Sequence, residues 1–315
     1  MKVEEKPVRL GRSDVHVIPL GLGTWTWDST GQFGPGRDYK EDDLRASFQT
    51  SMRCGLNFYD TAEAYGHGEI ESLLGKFIKE SGANIVVASK FPPWRKRFLK
   101  RHLLSSLRDG LNRMALQQFD LYQTHFHSRF VPIQTWMNAL ADAVEAGLTK
   151  AVGVSNYNAN QLRLAHKVLS KRNTPLATAQ AEYSLFHRLA ERDGLFDACK
   201  ELGVSLRAYS PLAQGLLTGR FTPSNPPPGQ RGERFGMEYL AKVQPLIGLL
   251  KEIGQSYGGK TPAQVALNWV ICGGAVPIHG AKNADQAAEN AGALGWRLTS
   301  DEVSALDAAS KDLQR

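Results

Sequence analysis

The chain has 315 residues, 42% hydrophobic and 22% charged, with a formal net charge of +7. This is the balance of an ordinary soluble globular protein. No apolar run approaches the roughly 20 residues that span a bilayer, and the N-terminal MKVEEKPVRLGRSD lacks the apolar core of a signal peptide. The expected setting is therefore the cytoplasm or an organelle matrix, with no membrane partner. Cys54, Cys199 and Cys272 have no CxxC spacing, which argues against a disulfide framework or a zinc site, and each reads as a buried thiol. The densest basic cluster, WRKRFLKRH from Trp94 to His102, reads as a solvated loop, so nucleic acid is not the expected partner. The positive sign suits a phosphorylated small ligand.

In chain order, Val8–Leu10 and Val15–Ile18, separated by GRSD, read as a small hairpin closing one end of the fold. Eight short apolar strand candidates follow: Val17–Gly21, Asn57–Asp60, Ile85–Lys90, Asp120–Thr124, Ala151–Ser155, Thr178–Glu182, Ser205–Ser210 and Ala275–Ile278. Helical patterns alternate with them at Glu41–Cys54, Glu69–Glu80, Lys100–Arg113, Pro132–Ala146, Ala159–Lys171, Arg192–Leu202, Thr261–Cys272 and Asp285–Gly292. Alternation near 30 residues implies right-handed βαβ units and a parallel sheet. Eight such units imply one closed (β/α)8 TIM barrel, expected as a single domain over residues 1–315. The Gly- and Pro-rich segment Pro211–Met237 after the seventh strand has the length of a lid or binding loop. An extra helix from about Glu238 to Gly254 follows it. LTSDEVSALDAAS, capped at Thr299 or Ser300, is a further helix outside the barrel count.

Active sites of such barrels lie at the C-terminal strand ends. Those ends carry Asp60, Lys90, His125, Ser155-Asn156, Gln180 and Tyr209-Ser210, with Tyr65 on the loop after Asp60. Each alone has a plain structural explanation as turn former, solvated end or packed ring; their convergence is the signal. His125 and His127, two apart, also raise a metal site, but no HExxH or facial-triad spacing accompanies them, and no metal is expected.

At these residues the chain resembles the aldo-keto reductases, in the branch that includes bacterial and plant enzymes and channel β subunits. The resemblance rests on DTAEAYG (Asp60–Gly66), SKF (Ser89–Phe91), DLYQTHF (Asp120–Phe126), GVSNY (Gly153–Tyr157), AQAEYS (Ala179–Ser184), AYSPLAQGLLTGRF (Ala208–Phe221) and GAKNADQAAENAGALGW (Gly280–Trp296). It implies an oxidoreductase that reduces aldehydes or ketones with NADP(H) and without a Rossmann fold, consistent with GLGTW (Gly21–Trp25) not being GxGxxG. It implies a catalytic tetrad of Asp60, Tyr65, Lys90 and His125. Tyr65 would be the general acid, helped by Lys90, which at about 4 Å and an effective dielectric near 20 would favour tyrosinate by ~4 kcal/mol before desolvation. Asp60 would hold the ammonium, and His125 would orient the substrate oxygen or share the proton relay.

For the cofactor, the resemblance implies Tyr209 stacked on the nicotinamide, and Ser155, Asn156 and Gln180 on its amide. Ser210, Leu212, Gln214 and Gly215 would cradle the pyrophosphate. Lys282 would meet the 2′-phosphate with Gln286 beside it, Glu289 and Asn290 would face the adenine, and Gly23, Thr24, Trp25, Asp60 and Gly280 belong to the same set. Substrate contacts are expected from Trp25, Trp94 and Phe126 and from the loop around Phe221–Phe235, with Arg95, Lys96 and Arg97 solvated near the rim. His279 stands where this branch usually has proline; it reads as a tolerated loop residue, or as one whose protonation would raise cofactor affinity below neutral pH. The alternative function is an NADPH-binding regulatory module with slow turnover.

Overall fold

The structure is a computed structural model and describes residues 5–28, 39–94 and 96–314. Its first two strands, β1 (Val8–Arg9) and β2 (His16–Val17), pair antiparallel as the expected hairpin. Eight parallel strands then close a barrel: β3 (Gly21–Gly23), β4 (Phe58–Asp60), β5 (Val86–Phe91), β6 (Phe119–Thr124), β7 (Thr149–Ser155), β8 (Leu176–Glu182), β9 (Ser205–Tyr209) and β10 (Val276–Gly280). They follow chain order around the ring, and β10 closes onto β3 with Gly280 opposite Gly23.

Two strand expectations need correction. Val17 belongs to the hairpin alone; Pro19 carries no backbone N–H, the chain turns with Leu20 N–H donating to the Ile18 carbonyl at 2.6 Å, and the barrel begins at Gly21. At the other end, β10 runs through His279 to Gly280, so His279 is a strand residue.

Helices over Glu41–Arg53, Glu69–Ser81, Lys100–Met114, Ile133–Glu145, Ala159–Ser170, Leu195–Leu202, Pro262–Cys272 and Ala284–Ala291 surround the ring. Thr261 caps the helix before the last strand by accepting from Gln264 N–H, with Pro262 at the first turn as its fixed φ favours. The sixth helical pattern is broken at Gly194 into Leu189–Arg192 and Leu195–Leu202. The segment after β9 holds short helices at Gln230–Phe235 and Met237–Lys242 before Gln244–Ser256, whose first turn contains Pro245. The C-terminal helix is Ser300–Ser310, capped by Thr299.

Leu10, Val15 and Val17 of the hairpin pack with Phe58, Ala88, Leu121, Ala151, Val276 and Ile278, sealing the N-terminal end of the barrel with apolar side chains. Gly11 N–H donates to Ser205 Oγ at 2.8 Å at the first residue of β9. Of the three thiols only Cys199 is fully buried; Cys54 and Cys272 are half-buried, and all three are free.

Candidate active site

Side chains two apart on a strand share a face, and two positions beyond the apolar layer the interior changes character. Phe58 gives way to Asp60, Ala88 to Lys90 and Leu121 to Gln123, with Arg207 and Gln180 arriving from β9 and β8. All five are buried. Lys90 Nζ donates to Asp60 Oδ1 at 2.5 Å, to the Thr61 carbonyl at 2.9 Å and to the Tyr65 hydroxyl oxygen at 3.3 Å. Arg207 Nη2 donates to the second oxygen, Asp60 Oδ2, at 2.8 Å. One carboxylate therefore holds two cations.

Burial alone would raise the Asp60 carboxyl, but the Lys90 and Arg207 charges outweigh it and hold it below its ordinary value. Lys90 is pushed down by burial and by Arg207, against the pull of Asp60. Burial first, and the Asp60 carboxylate second, push the Tyr65 phenol well above the usual range. This corrects the expectation that the phenol is drawn down: burial, reinforced by the Asp60 carboxylate, outweighs the cationic help, and in this state Tyr65 is firmly protonated. His125, whose ring sits edge-on to Tyr65 with centroids 5.7 Å apart, is pushed down to about 3 by burial and by Lys90, so it is a neutral imidazole at neutral pH.

The phenol faces a cavity of about 900 Å³ at the C-terminal strand ends. The lining includes the four tetrad residues, Gly23, Trp25, Ser155, Asn156, Gln180 and Tyr209, together with Ser210, Leu212, Gln214, Gly215, Gly280, Lys282, Gln286, Glu289 and Asn290. Three of the expected contacts stand outside it. Thr24 is buried behind the wall, donating to the Asp60 carbonyl at 3.2 Å. Trp94 leans toward His67, with centroids 5.9 Å apart, and Phe126 toward His125, at 5.7 Å.

The lining fits a dinucleotide in several ways. Gln180 Oε1 accepts from Gln123 Nε2 at 3.0 Å, which fixes the orientation of its amide. That contact needs Gly153, since a Cβ there would lie 2.2 Å from Thr178 Oγ1 and 3.0 Å from Gln123 Oε1. Asn156 is held in the left-handed region at φ 59°, donating to the His125 carbonyl at 2.9 Å and accepting from the Tyr209 hydroxyl at 2.9 Å, which sets the Tyr209 ring at the cavity edge. Ser210, Ala213, Gln214 and Gly215 all have positive φ. Within this turn Ala213 N–H donates to the Ser210 carbonyl at 2.8 Å and Gly215 N–H to the Leu212 carbonyl at 2.9 Å, and Gln214 Oε1 is buried there without a protein partner among the described residues. Lys282 Nζ lies 4.6 Å from the Tyr39 ring centroid, and its N–H is tied to Gln286 Oε1 at 3.0 Å, just before the helix at Ala284–Ala291.

His279 is buried, and its Nδ1 accepts from Asn290 Nδ2 at 2.9 Å; Asn290 Nδ2 also reaches the Gly280 carbonyl at 3.3 Å. Burial pushes this imidazole down to about 4. The expectation that it charges just below neutral pH is therefore overturned, because the strand takes it out of water. The basic cluster is also less solvated than expected: Arg97 grips Glu63 with both nitrogens at 2.7 Å, tying the loop after β5 to the loop that carries Tyr65. Arg95 lies outside the described residues.

Sequence reasoning missed Arg207. Its signal was present in SLRAYS, where a charge two residues before Tyr209 in an apolar strand must share that residue's inward face.

A barrel closed at one end by a hairpin, with an Asp, Tyr, Lys and His cluster at the other, is the arrangement that the resemblance to the aldo-keto reductases implies, and comparison with known proteins gives the class of oxidoreductase. The Aldo/keto reductase family model matches residues 19–311. The chain is 38% identical over 311 residues to the chloroplastic pyridoxal reductase of Arabidopsis thaliana, covering 95% of this chain and 84% of that protein. Among solved structures it superposes on a glycerol dehydrogenase from Gluconobacter oxydans with TM-score 0.84 at 26% identity, covering 96% of this chain and 94% of the other. A thermostable aldo-keto reductase in complex with the inhibitor epalrestat superposes with TM-score 0.76 at 29% identity, covering 96% and 99%. This chain belongs to the aldo/keto reductase family. Among the described residues no helix is long and apolar enough to cross a membrane.

Proposed function

We propose that this protein is an NADPH-dependent reductase of aldehydes, with an aromatic aldehyde of the pyridoxal type as the first candidate substrate and Tyr65 as general acid. The observation that carries this reading is the Lys90 ammonium, buried with Asp60 and donating to the Tyr65 oxygen at 3.3 Å at the wall of a large cavity. Bound NADPH supplies the hydride. The proton has to come from the chain, and Tyr65 is the protonated group that combines burial with a cation on its oxygen. As the phenol gives up its proton, the Lys90 hydrogen bond becomes charge-assisted at both ends and strengthens, which is stabilisation of the transition state rather than the ground state. Neutral His125 offers the substrate oxygen a second hydrogen bond without a competing charge.

Tyr209, Ser155, Asn156 and Gln180 would hold the nicotinamide end, the backbone from Ser210 to Gly215 the pyrophosphate, and Lys282 the 2′-phosphate. Trp25, about two-fifths exposed at the cavity mouth, supplies an aromatic wall for a flat substrate. The similarity to a pyridoxal reductase supports the choice of substrate class.

The test is titration of intrinsic fluorescence with NADPH and NADH, followed by NADPH oxidation with pyridoxal, 4-nitrobenzaldehyde and methylglyoxal. NADPH is expected to quench at lower concentration than NADH, and pyridoxal to be reduced. Quenching by neither nucleotide would overturn the proposal, and binding without turnover of any aldehyde would favour a regulatory module. Lys282→Ala is expected to weaken NADPH on the order of tenfold while leaving NADH unchanged.

A further inference from the structure

We propose that Arg207 is a positioning residue of the reduction site: through Asp60 Oδ2 it offsets the carboxylate's charge and leaves the Lys90 ammonium free to act on the Tyr65 phenol. This rests on Tyr65 being the proton donor.

Arg207 is wholly inaccessible to solvent. Nη2 donates to Asp60 at 2.8 Å, Nε and Nη1 have no protein partner among the described residues, and the guanidinium carbon lies 5.2 Å from the Phe58 ring centroid. A buried cation is a poor way to stabilise a barrel, since apolar residues of similar volume do as well or better. Phe58 and Val276 build the layer below without any charge. The geometry accounts for Arg207 in another way. With Lys90 alone, Asp60 would form a neutral pair at 2.5 Å, and a phenolate forming at Tyr65 would meet little more than a dipole. With Arg207 on the other carboxylate oxygen, two cations face one anion and the cluster keeps one net positive charge.

The other charged and titratable groups acting on the phenol make this more consequential. Asp60, Tyr209 and Asp28 all oppose its ionisation, whereas Arg207 favours it. His125 stays neutral, and Glu71 acts on Lys90 from outside the ring. Arg207 also pins the carboxylate that holds Lys90, so the 3.3 Å contact to Tyr65 is set by a chain of three side chains from β9, β4 and β5.

Two substitutions separate charge from packing. Arg207→Gln keeps a donor for Asp60 and loses the charge, while Arg207→Lys keeps the charge. With pyridoxal and NADPH, Arg207→Gln is expected to lower kcat on the order of 10- to 100-fold with KM for NADPH nearly unchanged, and Arg207→Lys to recover most of that loss. A second readout needs no turnover: label the protein with 3,5-difluorotyrosine, identify the Tyr65 19F signal by its disappearance in Tyr65→Phe, and titrate it. Its midpoint should move upward by about one pH unit or more in Arg207→Gln and stay near wild type in Arg207→Lys.

If Arg207→Gln does not unfold cooperatively, Asp60→Asn is compared with Asp60→Asn/Arg207→Met. The single variant should lower the Tyr65 midpoint and the double variant should return it toward wild type. Equal kcat and equal Tyr65 midpoints in wild type and Arg207→Gln would overturn the proposal, as would equal impairment of the glutamine and lysine variants with no movement of the signal, or a double variant that titrates like Asp60→Asn. An inactive wild type with a Tyr65 midpoint that still follows the charge at residue 207 would count against the reductase reading and not against the role of Arg207.

Discussion

The two halves of the barrel interior are built from the same strands and differ by a single step of two residues. Toward the hairpin, Phe58, Ala88, Leu121, Val276 and Ile278 pack against Leu10, Val15 and Val17 as one apolar cluster. Toward the open end, Asp60, Lys90, Gln123, Gln180 and Arg207 occupy the equivalent inward positions, linked by hydrogen bonds of 2.5 to 3.0 Å. The lower half is what closes the ring. The upper half is costly in an apolar setting and is tolerable only because each charge has a partner. On the proposed function, stability and chemistry are separated along the barrel axis, and mutations at the two levels should fail in different ways.

The largest effect is expected in the upper half. Lys90→Met removes the cation from Tyr65 and leaves Asp60 with Arg207 alone; kcat for aldehyde reduction should fall roughly 10²- to 10⁴-fold while the protein stays folded. Loss of cooperative unfolding in that variant would show instead that the ion cluster holds the barrel together. In the lower half, Leu121→Ala should cost about 2–5 kcal/mol in denaturant unfolding, with kcat of the folded fraction close to wild type. A fall in kcat without a loss of stability would break the separation.

A smaller effect comes from the buried imidazole at the end of β10. His279 titrates at about 4 in the folded protein against about 6.5 in the unfolded chain. The unfolded state therefore binds more protons between those values, and the stability this residue contributes is complete above pH 6.5 and is lost as pH falls toward 4. Wild type should lose ~2 kcal/mol more than His279→Asn between pH 7 and pH 5, read from urea unfolding at each pH. His125 shifts in the same direction and contributes to the acid sensitivity of both proteins.

Asp60, Lys90 and His125 are legible in the sequence because each ends or follows a short apolar run, and eight such runs put those ends on one face. Other features were hidden for physical reasons. The apolar run of the last strand stops at Ile278, and the polar His279 after it reads as loop, although β10 continues to Gly280. Arg207 reads as a surface charge unless its register with Tyr209 is used. The grip of Arg97 on Glu63 joins residues 34 apart on different loops, and nothing local announces it. The direction of the Tyr65 shift depends on how far burial and the Asp60 carboxylate outweigh the cationic help, a balance that residue types alone do not contain.

The central claim is that the polar half of the barrel delivers a proton from Tyr65 to a reduced carbonyl. A single turnover of pyridoxal by enzyme saturated with NADPH, compared between wild type and Tyr65→Phe, tests it most directly. The account predicts NADPH affinity within about twofold of wild type and a reduction rate lower by roughly 10²- to 10⁴-fold. A Tyr65→Phe enzyme that reduces pyridoxal at near wild-type rate, or one that loses NADPH binding in parallel with turnover, would contradict it.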